Sequence, residues 1–534
     1  MRKLHHICLL ITFVCLATGV ARAQSFQVQC PDHTLTHPVA ANNNSEPAYT
    51  SATAVNGAIK CQQISGGDGF ATMGDGTQTY MFSFGPLSGL SKIAAGQPGT
   101  DFPNEFNVVA PFTLVPGDPA TSGLNYNGAV GLAPDTDRGG ILDGHVDPRP
   151  IMDVGVMNGN IPAPLMAIDE DDEYFLTLTN VGQVMRPDLF EQHTVHFHGY
   201  PNASSFYDGV PDASVAINIG GSFTYYYLAP DAGTYFWHCH ISPPEHLQMG
   251  MVGQIYVRPR QNRVPAGTTL LAALTTQQGN LRTACKSTSD ILCTNPLPAV
   301  DTGATGGGKY AYNDGDGTTA YDVEYPLQIH GFDPNFHFVG MTFNPEGFAD
   351  IKDKYFLLNG RSYPDTVRTN QYVDTNAVGP NTASPYVGQP TVSNAIYTQS
   401  ADGVARPSQP LNAVINIPVG GKALLRLSDL DVSEYQTLAS LGIPMHVIAL
   451  NARLLRDLAG NDMTYYSNSI TLGGGESLDV ILDASDTTKY PANSTFYLYT
   501  SNLDHLSNDA ENFGGLMTEV HIGCTFDSAT GKCN

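Results

Sequence analysis

The chain has 534 residues, a net charge of −25 at neutral pH, 54 glycines, 36 prolines and a single tryptophan. Such a negative charge argues against nucleic acid or an anionic membrane surface as a partner, because both would repel the protein. The many turn-forming residues between short apolar runs favour an all-β protein.

The N-terminus has the features of a secretory signal. Residues 1–23 combine a basic start, a short apolar stretch and a small-residue ending at Ala23. We therefore expect the mature protein to begin near Gln24 and to be secreted or periplasmic. Residues 24–75 are polar and rich in Asn, Ser and Gly, which predicts an extended N-terminal segment.

Two β-rich regions follow. Residues 76–259 and residues 321–525 both show short runs in which apolar and polar residues alternate between turns, the pattern of strands in a β-sandwich. In the first region these runs are TYMFSFG, FNVVAPFTLV, EYFLTLTNVG, HTVHFHG, SFTYYYL, GTYFW and GQIYV. Residues 260–320 are predicted to be a linker and residues 526–534 a C-terminal tail.

Cysteine usage singles out one thiol. Seven cysteines remain after the signal, and in an oxidising compartment thiols tend to pair. Pairing between sequence neighbours gives Cys30–Cys61, Cys285–Cys293 and Cys524–Cys533. Cys239 is then left over.

Cys239 lies in GTYFWHCHISPPEHLQMGM, which follows HTVHFHG along the chain. Successive side chains on a strand face opposite ways. His196 and His198 therefore share a face, and so do His238 and His240, whereas Cys239 points to the other side. The pattern predicts two layers of metal ligands, one with sulfur and one without.

The layer with sulfur predicts a blue-copper centre. We expect His193, His246 and Met251 beside Cys239, since two imidazoles, a thiolate and a weak thioether form the ligand set of such centres. Met249 is the alternative axial ligand. The four imidazoles of the other layer suit copper that binds and reduces a small molecule. Structural zinc is disfavoured, because its paired Cys spacing is missing from this stretch.

HTVHFHG and HCHISPPEHLQMGM resemble the copper-binding segments of multicopper oxidases, which follow the patterns H-x-x-H-x-H-G and H-C-H…H-x₄-M. The resemblance implies tandem cupredoxin-like Greek-key β-sandwich domains and copper cofactors, type 1 together with type 2 or type 3. It also implies an enzyme that accepts electrons from a small-molecule or metal-ion reductant and reduces dioxygen. By this resemblance the type 1 ligands are His193, Cys239, His246 and Met251, and the ligands of the dioxygen site are His196, His198, His238 and His240.

Two departures from the oxidase pattern leave a second interpretation open. Six residues separate Cys239 from His246, where the oxidases usually have four, and only two His-x-His pairs are found where a three-copper cluster needs four. Copper nitrite reductases, which are trimers of two-domain cupredoxin chains, also resemble this sequence. That resemblance implies a homotrimer that reduces nitrite at copper held by His198 and His238, with the partner subunit's His505 as third ligand.

Several roles stay open in the sequence. In the nitrite reductases a proton-relaying Asp stands where this chain has His196. His446 is a further candidate for either copper site, and Asp208 and Asp212 are candidate proton donors. A third hypothesis is a copper or electron carrier in which only the type 1 site is active.

Overall fold

The computed structural model describes most of the chain. The described residues are 26–49, 55–110, 126–199, 204–229, 231–267, 307–341, 347–368, 409–457 and 459–523, with short strands at 397–399, 405–407, 526–527 and 532–533. The expected signal at 1–23 lies outside them. No helix in the described part of the chain is long and apolar enough to cross a membrane.

The first sandwich is built from two four-stranded sheets in the described residues. Its strands are β1 Ile59–Thr72, β2 Gln78–Pro86, β3 Met166–Asp169, β4 Glu173–Gly182, β5 His196–Phe197, β6 Ser222–Leu228, β7 Gly233–His238 and β8 Val252–Arg258. One sheet has the order β2-β1-β4-β6 and the other β3-β8-β7-β5. Neighbours in a sheet are often distant in sequence, so the chain crosses repeatedly between the sheets, as in a Greek key.

The second sandwich also has two main sheets, of nine and five strands among the described residues. The strands of this half are β9 Val323–Phe332, β10 Tyr355–Leu358, β11 Tyr397–Gln399, β12 Ala405–Pro407, β13 Ile415–Ile417, β14 Lys422–Asp429, β15 Gln436–Leu441, β16 Met445–Leu450, β17 Arg453–Leu454, β18 Tyr465–Ser467, β19 Ser469–Leu472, β20 Glu476–Asp483, β21 Thr495–Tyr499, β22 Ser507–Asn508, β23 Glu511–Asn512, β24 Met517–Ile522, β25 Phe526–Asp527 and β26 Lys532–Cys533. The predicted all-β fold with tandem sandwiches is confirmed.

Helices are short and lie at the edges of the sandwiches. The α-helices are α1 Leu90–Ala94, α2 Pro103–Phe106, α3 Pro148–Gly155, α4 Pro243–Gln248 and α5 Pro334–Met341. The 3-10 turns are Ala40–Asn44, Thr136–Arg138, Ser205–Tyr207, Arg260–Arg263, Phe348–Asp350, Asp365–Val367 and Leu503–His505.

Each sandwich encloses its own apolar core. The core of the first contains Trp237 and Cys239, both fully buried between the two sheets. Gly253 on β8 gives the indole room, since a Cβ there would lie 2.3 Å from Trp237. The second core is aliphatic and includes Leu425 and Val480.

The two sandwiches pack against each other through β7 and β8. The Oγ1 of Thr234 on β7 donates to Asp479 Oδ1 at 2.5 Å, and Ser477 Oγ donates to the Thr234 carbonyl at 2.8 Å. Gln254 Nε2 on β8 donates to the Arg426 carbonyl at 2.9 Å. Because β7 is covered on both faces, all six of its residues are buried, which explains why GTYFW is so continuously apolar.

The predicted boundaries differ from the structure in several places. Residues 24–75 were expected to be an extended segment, but β1 lies inside the first sheet, paired in parallel with β4 and antiparallel with β2. Its Gly, Gln and Ser residues are not typical of a buried strand, yet β1 is almost wholly buried. In the predicted linker 260–320, Tyr312 is buried against the second sandwich. The expected strand FNVV is also wrong at its start, because Phe106 ends α2, which begins at Pro103, and residues 107–110 form no strand.

The disulfide prediction holds where the structure describes it. Cys30 and Cys61 are bonded, with an S–S distance of 1.98 Å, and Cys239 is free and buried. The expected pairs Cys285–Cys293 and Cys524–Cys533 involve residues outside the described part of the chain, so both stay predictions.

Candidate metal centres

The first candidate centre surrounds the free thiol. The Sγ of Cys239 lies 3.3 Å from Nδ1 of His246 and 4.0 Å from Nδ1 of His193, and all three side chains are buried. His193 comes from the segment before β5, where its backbone pairs with Ile217, and Cys239 directly follows β7. His246 lies on α4.

The loop around α4 brings the ligand candidates together. The amide of Cys239 donates to the carbonyl of Met251 at 3.1 Å, and the amide of Met251 donates to the carbonyl of His246 at 2.9 Å. Gly250 makes this tight return possible, because its φ of 115° disfavours any residue with a side chain. Met249 and Met251 are both buried in the same core as Cys239, so the choice of axial ligand stays a prediction.

Charge in this group favours a thiolate. Burial alone would raise the pKa of the Cys239 thiol, but the charge of His246 and hydrogen bonds from both imidazoles hold the pKa well below its usual range. Burial likewise disfavours the charged form of His246, yet the Cys239 thiolate and Glu191 raise its pKa to about 10. The thiolate is the form of Cys that binds metals.

Four imidazoles form the second candidate centre. The ring centroid of His196 lies 5.0 Å from that of His198, 5.5 Å from that of His238 and 5.0 Å from that of His240. Ligand nitrogens of His196, His198 and His238 lie within 4.8 Å of one another, whereas His240 lies beside this group of three. The strand alternation brought these rings together: His196 and His238 are direct partners across β5 and β7.

Hydrogen bonds at Nδ1 leave the Nε2 atoms of His196 and His238 available to a metal. The Nδ1 of His238 donates to the Cys239 carbonyl at 2.7 Å, and the Nδ1 of His196 donates to the Asp208 carbonyl at 2.6 Å. Each bond fixes one tautomer and leaves Nε2 with its lone pair. The Nε2 atoms of His198 and His238 are 2.9 Å apart.

The imidazoles of the second centre favour the neutral form that ligates metals. Burial, together with the charges of neighbouring histidines, lowers the pKa of His198 to about 4. Burial also lowers the pKa of His238 to about 3, against the raising effect of its bond to the Cys239 carbonyl. Neutral rings at physiological pH need lose no proton to bind a metal.

A cavity of about 600 Å³ opens beside this centre. His198 and His238 line one wall, and loops of the second sandwich that include Asp431, Glu434 and Glu476 line the other. The space is large enough for dioxygen, nitrite and several waters. The second sandwich therefore supplies acidic groups, and no described imidazole, to the cavity wall.

The remaining predicted residues lie elsewhere. The structure does not bring His505 to the group: its Nδ1 lies 3.0 Å from Gln436 Oε1, its Nε2 lies 3.0 Å from Glu434 Oε2, and its ring stacks on Phe356. His446 stacks on Tyr466, away from both centres.

Of the candidate proton donors, Asp208 lies 3.6 Å from His196 Nδ1, whereas Asp212 is exposed. His330 on β9 and His521 on β24 are buried. His337 on α5 is also buried, and its ring is hydrogen-bonded to the carbonyls of Tyr80 and Gln248 in the first region.

Sequence reasoning missed two residues that shape the first centre. A Cβ on Gly66 of β1 would lie 2.7 Å from Cδ2 of His193, so this glycine makes room for the imidazole. Glu191 Oε2 lies 3.5 Å from His246 Nε2. Glu191 lies two residues before His193, so its position in the sequence could have suggested a role at this centre. Gly66 lies on β1, and the composition of β1 does not suggest a strand.

Comparison with known proteins finds a similarity to multicopper oxidases in this region. Residues 144–262 match the family model described as multicopper oxidase, and this range contains every residue of both candidate centres. The matched range includes β3 to β8 of the first sandwich, and this part of the chain is similar to multicopper oxidases. The similarity predicted from HTVHFHG and the HCH segment is thereby confirmed.

Individual relatives of this region cover only part of the chain. A laccase of Aspergillus fumigatus is 34% identical over 109 residues, which make up 20% of this chain and 17% of the laccase. A copper-containing nitrite reductase of Rhizobium meliloti is 35% identical over 109 residues, 20% of this chain and 26% of the reductase. The matched segments thus span less than a third of either relative. Among solved structures, a blue copper oxidase from Nitrosomonas europaea gives a TM-score of 0.46 at 17% identity, over 86% of this chain and 85% of that one.

Proposed function

We propose that this chain is a copper-dependent oxidoreductase that reduces dioxygen with electrons from a small-molecule or metal-ion reductant. His193, Cys239, His246 and Met251 would hold the type 1 copper that accepts these electrons. His196, His198, His238 and His240 would hold the copper of the dioxygen site. The observation that carries the proposal is a buried, unpaired thiol in contact with two imidazoles, whose chain neighbours belong to a second imidazole group.

The donor atoms fit copper. Ligands at about 2.0–2.3 Å from a four-coordinate ion lie about 3.3–3.8 Å from one another. The measured separations of Cys239 Sγ from the two Nδ1 atoms, 3.3 and 4.0 Å, are close to this range. One thiolate with two imidazoles is the set preferred by type 1 copper, and imidazoles without sulfur suit a catalytic copper.

Bound copper would supply one-electron redox chemistry at the thiolate and a site for the oxidant at the imidazoles. The chain itself connects the two proposed copper sites, because peptide bonds join Cys239 to His238 and His240. The bond from His238 Nδ1 to the Cys239 carbonyl, at 2.7 Å, adds a second link. Glu191 holds the His246 ring from the outer side, at 3.5 Å, where a reductant can approach.

Nitrite reduction is the second candidate function. It is favoured by the Nε2 atoms of His198 and His238, which lie 2.9 Å apart and would together hold one metal. Similarity to a nitrite reductase supports it further. Its third ligand, the partner subunit's His505, and the homotrimer stay predictions.

The disulfide supports the expected location. Cys30 and Cys61 are bonded, and such bonds persist in oxidising compartments. Export to the periplasm or the outside is therefore part of the proposal.

Copper content and turnover test the proposed function together. We expect the copper-loaded chain to be intensely coloured, to bind more than two coppers and to consume dioxygen with a phenolic or metal-ion reductant. Cys239→Ser should lose the colour, one copper and turnover, whereas the control His33→Gln, at an exposed site, should match the wild type.

The other outcomes separate the alternatives. Two coppers per chain with nitrite consumption would favour the reductase. A blue protein that consumes neither oxidant would favour an electron carrier. A colourless wild type after full copper loading would contradict all three.

A further inference from the structure

A pair of buried carboxyls lies behind the cavity of the second candidate centre. Asp353 is 7% exposed and Asp431 is 4% exposed. A Cβ on Gly331 of β9 would lie 2.3 Å from Asp353 Oδ2 and 2.6 Å from Asp431 Oδ2, so both carboxyls converge on one point above this glycine. Like charges at such close range in a buried site cannot both persist.

Ser433 bridges the pair in a way that requires an additional proton. Its Oγ is hydrogen-bonded to Asp353 Oδ2 and lies 2.9 Å from Asp431 Oδ1. A hydroxyl has a single hydrogen and can donate only one of these bonds. The other bond therefore needs a hydrogen on a carboxyl.

The donors around each acid show which one carries the proton. Asp431 Oδ1 accepts the amide of Ser433 at 2.8 Å, and its Oδ2 accepts Gln436 Nε2 at 2.5 Å. Asp353 accepts one further donor, Gln248 Nε2, at 2.8 Å. Asp431, which accepts more hydrogen bonds, is the anion, and the proton lies on Asp353 Oδ2. Burial, followed by the charge of Asp431, raises the pKa of Asp353 well above its usual range.

The surroundings of the pair reinforce this assignment. Glu434 on the same loop adds negative charge and contributes to the raised pKa of Asp353. Burial raises the pKa of Asp429, at the end of β14, well above its usual range, so Asp429 adds little negative charge. His330 on β9 interacts electrostatically with Asp431, but burial lowers its pKa, so it brings little positive charge. Gln248 at the end of α4 is neutral.

We propose that Asp353, Ser433 and Asp431 form a proton relay that supplies the cavity onto which His198 and His238 open. The relay rests on the proposed function, which provides the oxidant and the electrons. The O–H bond of Asp353 breaks as its proton moves to Ser433 Oγ, the Ser433 hydroxyl proton passes to Asp431 Oδ1, and Asp431 delivers a proton to the oxygen being reduced. One proton is delivered for each electron that arrives from the reductant through Cys239.

The proposed relay is linked to both candidate centres. Asp431 lines the cavity wall opposite His198 and His238. Asp353 is bonded through Gln248 to α4, the helix that carries His246. Glu434, which also lines the cavity and is 44% exposed, gives the pair a route to solvent for reloading.

The test uses the isosteric variant Asp353→Asn, whose amide keeps both hydrogen bonds but holds no transferable proton. The infrared difference spectrum of metal-free wild type minus Asp353→Asn at neutral pH should contain the carbonyl band of a protonated carboxylic acid, since the contributions of other buried acids cancel. In copper-loaded protein, reoxidation of the reduced blue centre by dioxygen should slow by about 10²-fold, the typical contribution of a positioned acid. Reduction of the blue centre by the reductant should be unchanged.

The control Asp137→Asn, at an exposed turn position, should match the wild type in all three measurements. An unchanged infrared band, or reoxidation at the wild-type rate and pH profile, would overturn the relay. Slower reduction of the blue centre or a changed absorption spectrum in Asp353→Asn would also overturn it, since either shows a structural role through Gln248. Failure of the proposed function is distinct, because the wild type itself would then not be reoxidised by dioxygen or nitrite.

Discussion

At the scale of single residues, the environment of Cys239 separates a ligand from a structural cysteine. The thiol is fully buried and unpaired, and its polar neighbours are His246 Nδ1 at 3.3 Å, the amide of Thr194 at 3.4 Å and His193 Nδ1 at 4.0 Å. A buried cysteine in an apolar core gains nothing from such neighbours. Two imidazole nitrogens beside a thiol are the kind of ligand set that copper prefers.

The axial ligand can be assigned by a matched pair of variants. Met251→Leu and Met249→Leu each replace a buried Met in the same core with a residue of similar volume, at a cost of less than about 1.5 kcal/mol. We expect Met251→Leu to change the reduction potential and absorption of the blue centre, because the axial ligand tunes both. Met249→Leu should change neither. The reverse result, measured by spectroelectrochemistry, would move the axial role to Met249.

Sequence reasoning succeeds at this scale because the ligands follow strand alternation. His196 and His238 are partners on two paired strands, and His198 and His240 follow within two residues of the strand ends, so spacing alone predicts that the four rings meet. Asp353, Ser433 and Gln248 come from distant segments joined only by the packing of the two sandwiches. Local spacing contains no signal for such a cluster.

At the scale of elements, the turn after α4 sets the geometry of the first centre. Gly250 has a φ of 115°, and its carbonyl accepts the hydroxyl of Ser83 at 2.5 Å. A Cβ there would lie 3.4 Å from Ile161 Cδ1, so an alanine meets a strained backbone inside a packed site. The turn joins His246 to Met251.

Gly250→Ala should therefore weaken type 1 copper binding as well as stability. We expect a loss of about 1–3 kcal/mol in the free energy of unfolding from backbone strain, together with a lower copper affinity and a shifted blue band. Gly220→Ala is the control, because Gly220 also has positive φ, at 78°, but a Cβ there meets nothing within 4 Å. It should lose stability without any change in colour. Equal effects of both variants on the blue band would show that the turn does not position the ligands.

The element that the sequence concealed is β1. Its residues SGGDG have little β-propensity, yet β1 lies centrally in its sheet between β2 and β4. The glycines are required by close approach, as Gly66 shows beside His193. Tertiary contact, which a single sequence does not display, outweighs propensity here.

At the scale of the whole molecule, a buried charge cluster joins the two sandwiches. Arg426 on β14 is fully buried; its Nε donates to Glu324 at 3.0 Å, and its Nη1 lies 3.8 Å from Asp479. Asp479 in turn accepts the hydroxyl of Thr234 on β7. Arg258 on β8 pairs with the same Glu324 at 2.9 Å, so two guanidiniums hold this interface together.

Arg426→Met should destabilise the protein by about 3–5 kcal/mol, because it leaves carboxylates buried without their partner. Burial would raise the pKa of Glu324, but Arg426 and Arg258 hold it at about 2. A lowered carboxyl pKa stabilises the fold above the unfolded value near 4.5, and this contribution is lost as the pH falls towards 2. The difference in unfolding free energy between wild type and variant should therefore shrink over that range.

The matched control is Lys422→Met, which removes an ion pair at the half-exposed start of the same strand. Exposed pairs contribute about 0–1 kcal/mol, so this variant should remain close to the wild type. Denaturant unfolding at several pH values measures both variants. Equal, small losses would show that Arg426 does not hold the sandwiches together.

Anomalous diffraction at the copper edge, from crystals of the copper-loaded protein, tests the central claim most directly. The account predicts one peak within bonding distance of Cys239 Sγ and the Nδ1 atoms of His193 and His246, and further metal among His196, His198 and His238. Copper absent from Cys239, or Cys239 bonded to another cysteine, would contradict it.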